Sequence, residues 1–173
     1  MSKTSEILSE EHKNILKVVE ALNKETEKLK LEEEINKAFF AEVIEFIKNY
    51  ADKFHHAKEE EILFKEFNKA CEEGRLHCNP IEQMMHEHEI GRKFVKEMIE
   101  GLEKEDKSKL KNGANGYTNL LKEHIFKEDN ILYPMANEAL NKQEEDMLKK
   151  FWQVEKEKIN DKEKAIKFVK SLK

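Results

Sequence analysis

Apolar residues recur every three to four positions along almost the whole chain. Ile7, Ile15, Val18, Val19, Leu22 and Leu29 share one face of a helix predicted over about 4–29. A second, unusually long helical stretch is predicted over about 32–72. It carries Ile35, Phe39, Val43, Phe46, Ile47, Tyr50 and Phe54, then Ile62, Leu63 and Phe67, with Gly74 as its stop signal. Asn79-Pro80 opens a third helix, because Asn caps and Pro suits the first helical position, where its missing N–H costs nothing. A fourth runs from about 107 to 140. Gly113-Ala-Asn-Gly116 is expected to weaken its early turns and Pro134 to bend it. A fifth, over about 144–172, presents Met147, Phe151, Trp152, Ile159, Ile166 and Val169 as one stripe. No segment alternates with period two for long enough to be a strand. The predicted fold is all-α: an antiparallel up-down four-helix bundle over 1–140, with an additional C-terminal helix over 141–173 packed on the same domain.

Composition narrows the picture. The 173 residues suffice for one domain with a sizeable core. Charged residues are 40% of the chain, with only five glycines and two prolines, as in long solvated helices. The net charge is −5 and the lysines are interspersed with glutamates, which argues against nucleic-acid binding. No apolar run approaches the ~18 residues of a membrane span, and no signal peptide is visible, so the expected compartment is the cytoplasm. There Cys71 and Cys78 are expected as free thiols; a structural disulfide or a redox pair are the alternatives. No Gly-rich phosphate loop supports a nucleotide enzyme.

Chemistry enters with an internal repeat. His55-His-Ala-Lys-Glu59-Glu-Glu-Ile-Leu-Phe64 resembles His124-Ile-Phe-Lys-Glu128-Asp-Asn-Ile-Leu-Tyr133, with the shared pattern H-x-x-K-E-[ED]-x-I-L-[FY]. On an α-helix, His and Glu four residues apart are separated by roughly 40° of rotation and roughly 6 Å of rise, so both point to one face. One such pair is ordinarily a salt bridge. Two copies on antiparallel helices bring two carboxylates together in the core, where they repel unless protons or cations intervene. His12 and His88 sit on the apolar faces of the first and third helices, so each bundle helix offers at least one ligand. Four imidazoles and two carboxylates suit iron or manganese better than a closed zinc site of four ligands. Ferritin-like di-iron proteins use Glu-x-x-His, the opposite order.

These residues resemble a known family. Glu11-His12, Phe54-His55-His56-Ala-Lys-Glu59-Glu60, Pro80-Ile81 with Glu87-His88-Glu89, and His124-Ile-Phe-Lys-Glu128 with Leu132-Tyr133-Pro134 are similar to the hemerythrin-like proteins of the His-His-Glu (HHE) cation-binding type. The resemblance covers roughly 7–140. It implies two iron ions, with manganese as the alternative metal. His12 and His55 would lie on one ion and His88 and His124 on the other. Glu59 and Glu128 would bridge, with an oxo or hydroxo group between the metals. Oxygen-carrying hemerythrins have a further histidine where this chain has Met84, so the second ion lacks a ligand. That brings the chain closer to bacterial HHE proteins and iron–sulfur-repair di-iron proteins.

The candidates to complete the site follow from helical phase. His56 is turned about 100° from His55 and is expected beside the site or at the surface, with a role as an additional ligand as the alternative. Tyr117 is a ligand, a hydrogen-bond donor to bound oxygen, or a core aromatic. Glu60 and Asp129 are expected to orient ligand histidines. The open coordination position is expected at Met84, in a dry pocket with Ile15, Leu63, Leu120, Leu121 and Ile131. The function implied is binding of O2, NO or peroxide, for sensing, storage or scavenging. The alternatives are peroxidase-like, catalase-like or NO-handling catalysis, and iron donation in iron–sulfur repair. A separate redox or output protein is the expected partner, with no nucleic acid and no membrane.

Overall fold

The structure, a computed structural model, describes residues 2–29 and 34–172. Helix α1, Lys3–Lys28, starts at Ser2, whose side chain accepts the Ser5 N–H. The expected beginning of the second helix at 32 lies outside the described residues. Helix α2 runs over 37–72 from an Asn36 cap that accepts the Phe39 N–H. It ends as predicted at Gly74, which adopts φ +73°, a conformation that glycine reaches without strain. Helix α3 is Ile81–Glu103, with Pro80 in the cap position and the Asn79 side chain accepting the Ile81 N–H at 3.0 Å. Helix α4 runs over 107–139 from an Asp106 cap.

Two of these helices change pitch. Within α2, Ile47–His56 and Glu59–Leu63 are π-helical. Within α4, Glu128–Leu132 is π-helical. The N–H of Phe64 bonds the carbonyl of Glu59, and the N–H of Tyr133 bonds that of Glu128, each spanning five residues rather than four. The internal repeat is therefore a repeat of backbone geometry as well as sequence. Pro134 follows directly on the second wide turn and the helix continues through it.

The expected single C-terminal helix is two: α5, Glu144–Glu157, and α6, Ile159–Ser171. The break lets the apolar positions serve two separate clusters. Met147 and Phe151 of α5 close one cluster with Leu8, Ile62, Phe67 and Tyr133. Ala165 and Val169 of α6 close the other, with Val19, Phe40, Phe54 and Met98. Trp152 does not join the stripe and is exposed, as is Ile159, because Phe151 takes the inward position. Each bundle helix passes from one cluster to the other: Leu8 to Ile15, Ile62 back to Phe54, Met84 to Val95, and Leu132 back to Leu121. The residues between those points form a buried polar layer, with His12, His55, His56, Lys58, Glu59, His88, His124 and Glu128 all shielded from solvent. No described helix is long and apolar enough to cross a membrane.

Gly113 does not weaken α4. It permits close approach to α3, because a Cβ there would lie 2.8 Å from Met98 N and 2.8 Å from Phe94 O. Neither backbone atom can yield locally. Gly113→Ala should therefore destabilise the protein by about 1–3 kcal/mol, the usual range for overpacking. A lowered urea midpoint would show this; an unchanged midpoint would refute the close-packing role.

Candidate metal centre

The four bundle helices supply the polar layer in two related halves. α1 contributes Glu11-His12 and α2 contributes His55 to Glu60; α3 contributes Glu87-His88 and α4 contributes His124 to Asp129. Exchanging one half for the other reproduces the contacts. His12 and His55 have ring centroids 4.6 Å apart, and His88 and His124 4.7 Å. Glu128 Oε2 lies 3.2 Å from His12 Nε2, while its Oε1 lies 3.1 Å from His124 Nε2. Glu59 Oε2 lies 3.6 Å from both His55 Nε2 and His88 Nε2. Both carboxylates thus stand between the halves.

Five imidazoles are anchored alike. Nδ1 of His12 meets Asp129 at 3.0 Å, Nδ1 of His55 meets Glu11 at 2.9 Å, and Nδ1 of His56 meets Asp52 at 3.3 Å. Nδ1 of His88 meets Glu60 at 2.7 Å and Nδ1 of His124 meets Glu87 at 2.8 Å. An ionised carboxylate only accepts, so each Nδ1 carries a hydrogen, and each Nε2 presents a lone pair once any proton on it is lost. This carboxylate–imidazole pairing is the support that metal-binding histidines ordinarily have. The repeat lysines brace the same carboxylates: Lys58 pairs with Glu11 and Lys127 with Glu87. Lys58 is fully buried, its Nζ 3.7 Å over the Phe54 ring and 3.4 Å from Glu155 of α5. Arg92 ties Asp52 to Glu60 through bonds of 2.7 Å to each.

Of the two places expected for His56, beside the site or at the surface, the structure has the first. His56 is buried, stacks on His88 at 3.8 Å, and has a ring nitrogen grouped with those of His88 and His124. Helix α2 is π-helical up to His56, and both adjacent histidines reach the layer. A second grouping joins ligand atoms of His12, His55, Glu59 and Glu128, all within 4.8 Å of one another.

The donor set fits a metal. His55 Nε2, Glu59 Oε2 and both Glu128 carboxylate oxygens are buried without a hydrogen-bond partner. His88 Nε2 and His124 Nε2 face each other at 2.9 Å. With both Nδ1 atoms donating elsewhere, this contact needs a proton or a cation between the lone pairs. Titration responds accordingly. Burial, then the charge of Glu128, push Glu59 up to about 8, while the surrounding histidines hold Glu128 well below its usual range despite burial. Burial alone would lower His12, His88 and His124. Their carboxylate partners overcome it and hold them at about 9, about 9 and about 10. Burial pushes His55 and His56 well down.

A cavity of about 210 Å³ reaches His56, His88 and His124 between α2, α3 and α4. Its walls include Ile47, Val95, Tyr117, Leu120 and Leu121. Met84, Ile15 and Leu63 do not line it; they belong to the packed clusters. Met84 occupies on α3 the place that Leu8 has on α1, one turn before the Glu-His pair, and both pack in the same cluster. Ile131 is half exposed, because α5 covers the first copy of the repeat, where Ile62 is buried, and not the second. The cavity exists on one side because Gly91 stands where the other half has Ile15. A Cβ at Gly91 would meet only Leu120 and Tyr117, both at 3.8 Å. The Tyr117 hydroxyl is buried without a hydrogen-bond partner.

Sequence reasoning passed over the roles of Glu11, Asp52, Lys58, Glu87, Arg92 and Lys127. The signals were present for four of them: the Glu-His pair occurs on both α1 and α3, and the lysine recurs in both copies of the repeat. Asp52 and Arg92 belong to neither pattern. His77 and His86 are exposed and take no part.

Comparison with known families agrees with this arrangement. The profile described as "Hemerythrin HHE cation binding domain" matches residues 3–136, all four bundle helices. No curated protein and no solved structure gives a significant match.

The protonation states make a testable statement. In the metal-free protein at pH 7, His12, Glu59 and the facing His88–His124 pair hold protons, the pair sharing one across its 2.9 Å contact. A bound cation must displace them. Adding Fe2+ to the weakly buffered metal-free protein at pH 7 should therefore acidify the solution, and apparent affinity should rise from pH 7 toward pH 9. Affinity independent of pH across that window would contradict these states.

Proposed function

The chain belongs to the hemerythrin HHE cation-binding domain family, and on that premise we propose that its buried centre holds a pair of iron ions and binds a small diatomic ligand or peroxide. The observation that carries this reading is the convergence of four carboxylate-anchored imidazoles on two carboxylates with unpartnered oxygens, with His56, itself anchored on Asp52, grouped beside His88 and His124. His12 and His55 would hold one ion, and His56, His88 and His124 the other, with Glu59 and Glu128 shared. Imidazole and carboxylate donors suit iron, and manganese by the same chemistry. The ion pair supplies, when bound, a two-electron couple with a coordination position open to a ligand.

The protein's own residues govern access and protons. The cavity beside His56, His88 and His124 has room for several water-sized molecules of roughly 30 Å³ each. Its apolar walls admit an uncharged ligand and disfavour bulk water. Tyr117 is the one wall residue with a free buried hydroxyl, placed to donate a hydrogen bond to a guest. Anchoring of every imidazole at Nδ1 favours keeping the metal over donating it to a partner.

Metal analysis of the purified protein tests the first claim. A pair of irons per chain is expected, with strongly reduced iron in Glu59→Ala and in Glu128→Ala; full iron in either variant would remove that residue from the bridge. Stopped-flow mixing of the reduced protein with NO tests the second claim. Gly91→Ile introduces the residue found at the equivalent position on α1. It should slow association about tenfold, a barrier change of roughly 1.4 kcal/mol, without lowering iron content. An unchanged rate would exclude this cavity as the entry route.

A further inference from the structure

The two halves of the centre differ in one oxygen. Tyr133 closes the second copy of the repeat where Phe64 closes the first. Both stand five residues after the shared glutamate, and the wide turn of each copy brings that position onto the site. Phe64 stacks on His88 at 5.8 Å, and Tyr133 stacks on His12 at 5.6 Å. A phenyl ring therefore satisfies the packing at this position. The hydroxyl of Tyr133 is an addition, and it points at donors rather than at solvent or backbone. It donates to Glu59 Oε1 at 2.6 Å and lies 3.3 Å from His12 Nε2.

We infer that Tyr133 is itself a metal ligand, bound through its phenolate oxygen on the His12/His55 side. The inference rests on the ion pair proposed above. Two donors on one first-row ion, each at about 2.0–2.2 Å and near a right angle, lie about 3 Å apart. The Tyr133 oxygen has that spacing from both His12 Nε2 and Glu59 Oε1. The count of donors points the same way. His56 gives the His88/His124 side a third terminal donor, and its counterpart in the second copy is Ile125, which cannot ligate. Tyr133 supplies the third terminal donor that the His12/His55 side otherwise lacks. A phenolate is a hard oxygen donor suited to ferric iron. On ligation the phenol O–H bond breaks and an oxygen–iron bond forms. The proton leaves to solvent and no electron is transferred.

The consequence is a division of labour. The His12/His55 side is closed by a residue of this chain, fully buried, and the cavity reaches only the other side.

The test is spectroscopic and needs no turnover. The full chain loaded with ferric iron should show a phenolate-to-iron charge-transfer band in the visible, with resonance-enhanced tyrosine ring modes. Tyr133→Phe should lose the band and the ring modes while retaining iron through the remaining donors. Tyr117→Phe, which removes the other buried phenol near the centre, should keep both. Iron retained by the wild type without a phenolate signature would overturn the inference alone, leaving Tyr133 as a hydrogen-bond donor to Glu59. So would a signature that persists in Tyr133→Phe or vanishes in Tyr117→Phe. A wild-type chain that retains no iron would overturn the ion-pair reading and this inference with it. If Tyr133→Phe fails to fold, the wild-type spectrum and Tyr117→Phe still decide.

Discussion

Glu59 and Glu128 are carboxylates with no access to water, set side by side in the middle of an apolar bundle. Burying one unpaired charge costs on the order of several kcal/mol, and two of like sign add their repulsion. The polar layer is the structural answer to that cost. Four imidazoles surround the pair, a fifth from His56 stands beside two of them, and a second ring of carboxylates steadies them all. Lys58, Lys127 and Arg92 then balance that second ring. Protons serve in the metal-free state and a cation replaces them on loading. The two apolar clusters do not provide this balance; they hold the helices in the register that makes it possible.

The layer has an approximate two-fold relation that economises on design, and its departures from that relation are where function is written. Glu11-His12 with the first repeat mirrors Glu87-His88 with the second. Four residues break the mirror. His56 adds a nitrogen on one side, and Tyr133 adds an oxygen on the other. Gly91 opens a cavity where Ile15 fills the same position in the other half. Asp52, which anchors His56, faces Leu121 in the equivalent position. A symmetric framework thus carries two groups of candidate donors, unlike in composition and unlike in access.

The C-terminal helices take part in the same arrangement. Glu155 of α5 reaches Lys58, which reaches Glu11, which anchors His55. Lys162 of α6 holds Glu155 at 2.9 Å. Met147 and Phe151 seal the cluster beneath the first repeat, so this part of the chain both covers the bundle and completes the charge balance around one ligand. The second repeat has no such cover, which leaves Phe126 and Ile131 exposed.

By itself, the sequence determined the helical character of the chain, the four-helix core and the residue types that meet at its centre. The 3.6-residue apolar period is local, and the H-x-x-K-E repeat states its ligand types and their spacing outright. His12 and His88 were legible because each interrupts an apolar face, and Glu60 and Asp129 because they follow the shared glutamate. Other features were decided only by tertiary structure. Period counting assumes a constant 100° per residue, and the wide turns of α2 and α4 break that assumption at the site itself. Phe64 and Tyr133 therefore reach the layer from a position five residues on, and His56 is buried beside His55. The split between α5 and α6 arose because one stripe had to cover two clusters lying in different directions. The cavity lies at Gly91 and not beside Met84 for a related reason. Which residue leaves space depends on what the neighbouring helices place opposite it, and that juxtaposition is a property of packing that no single helix encodes.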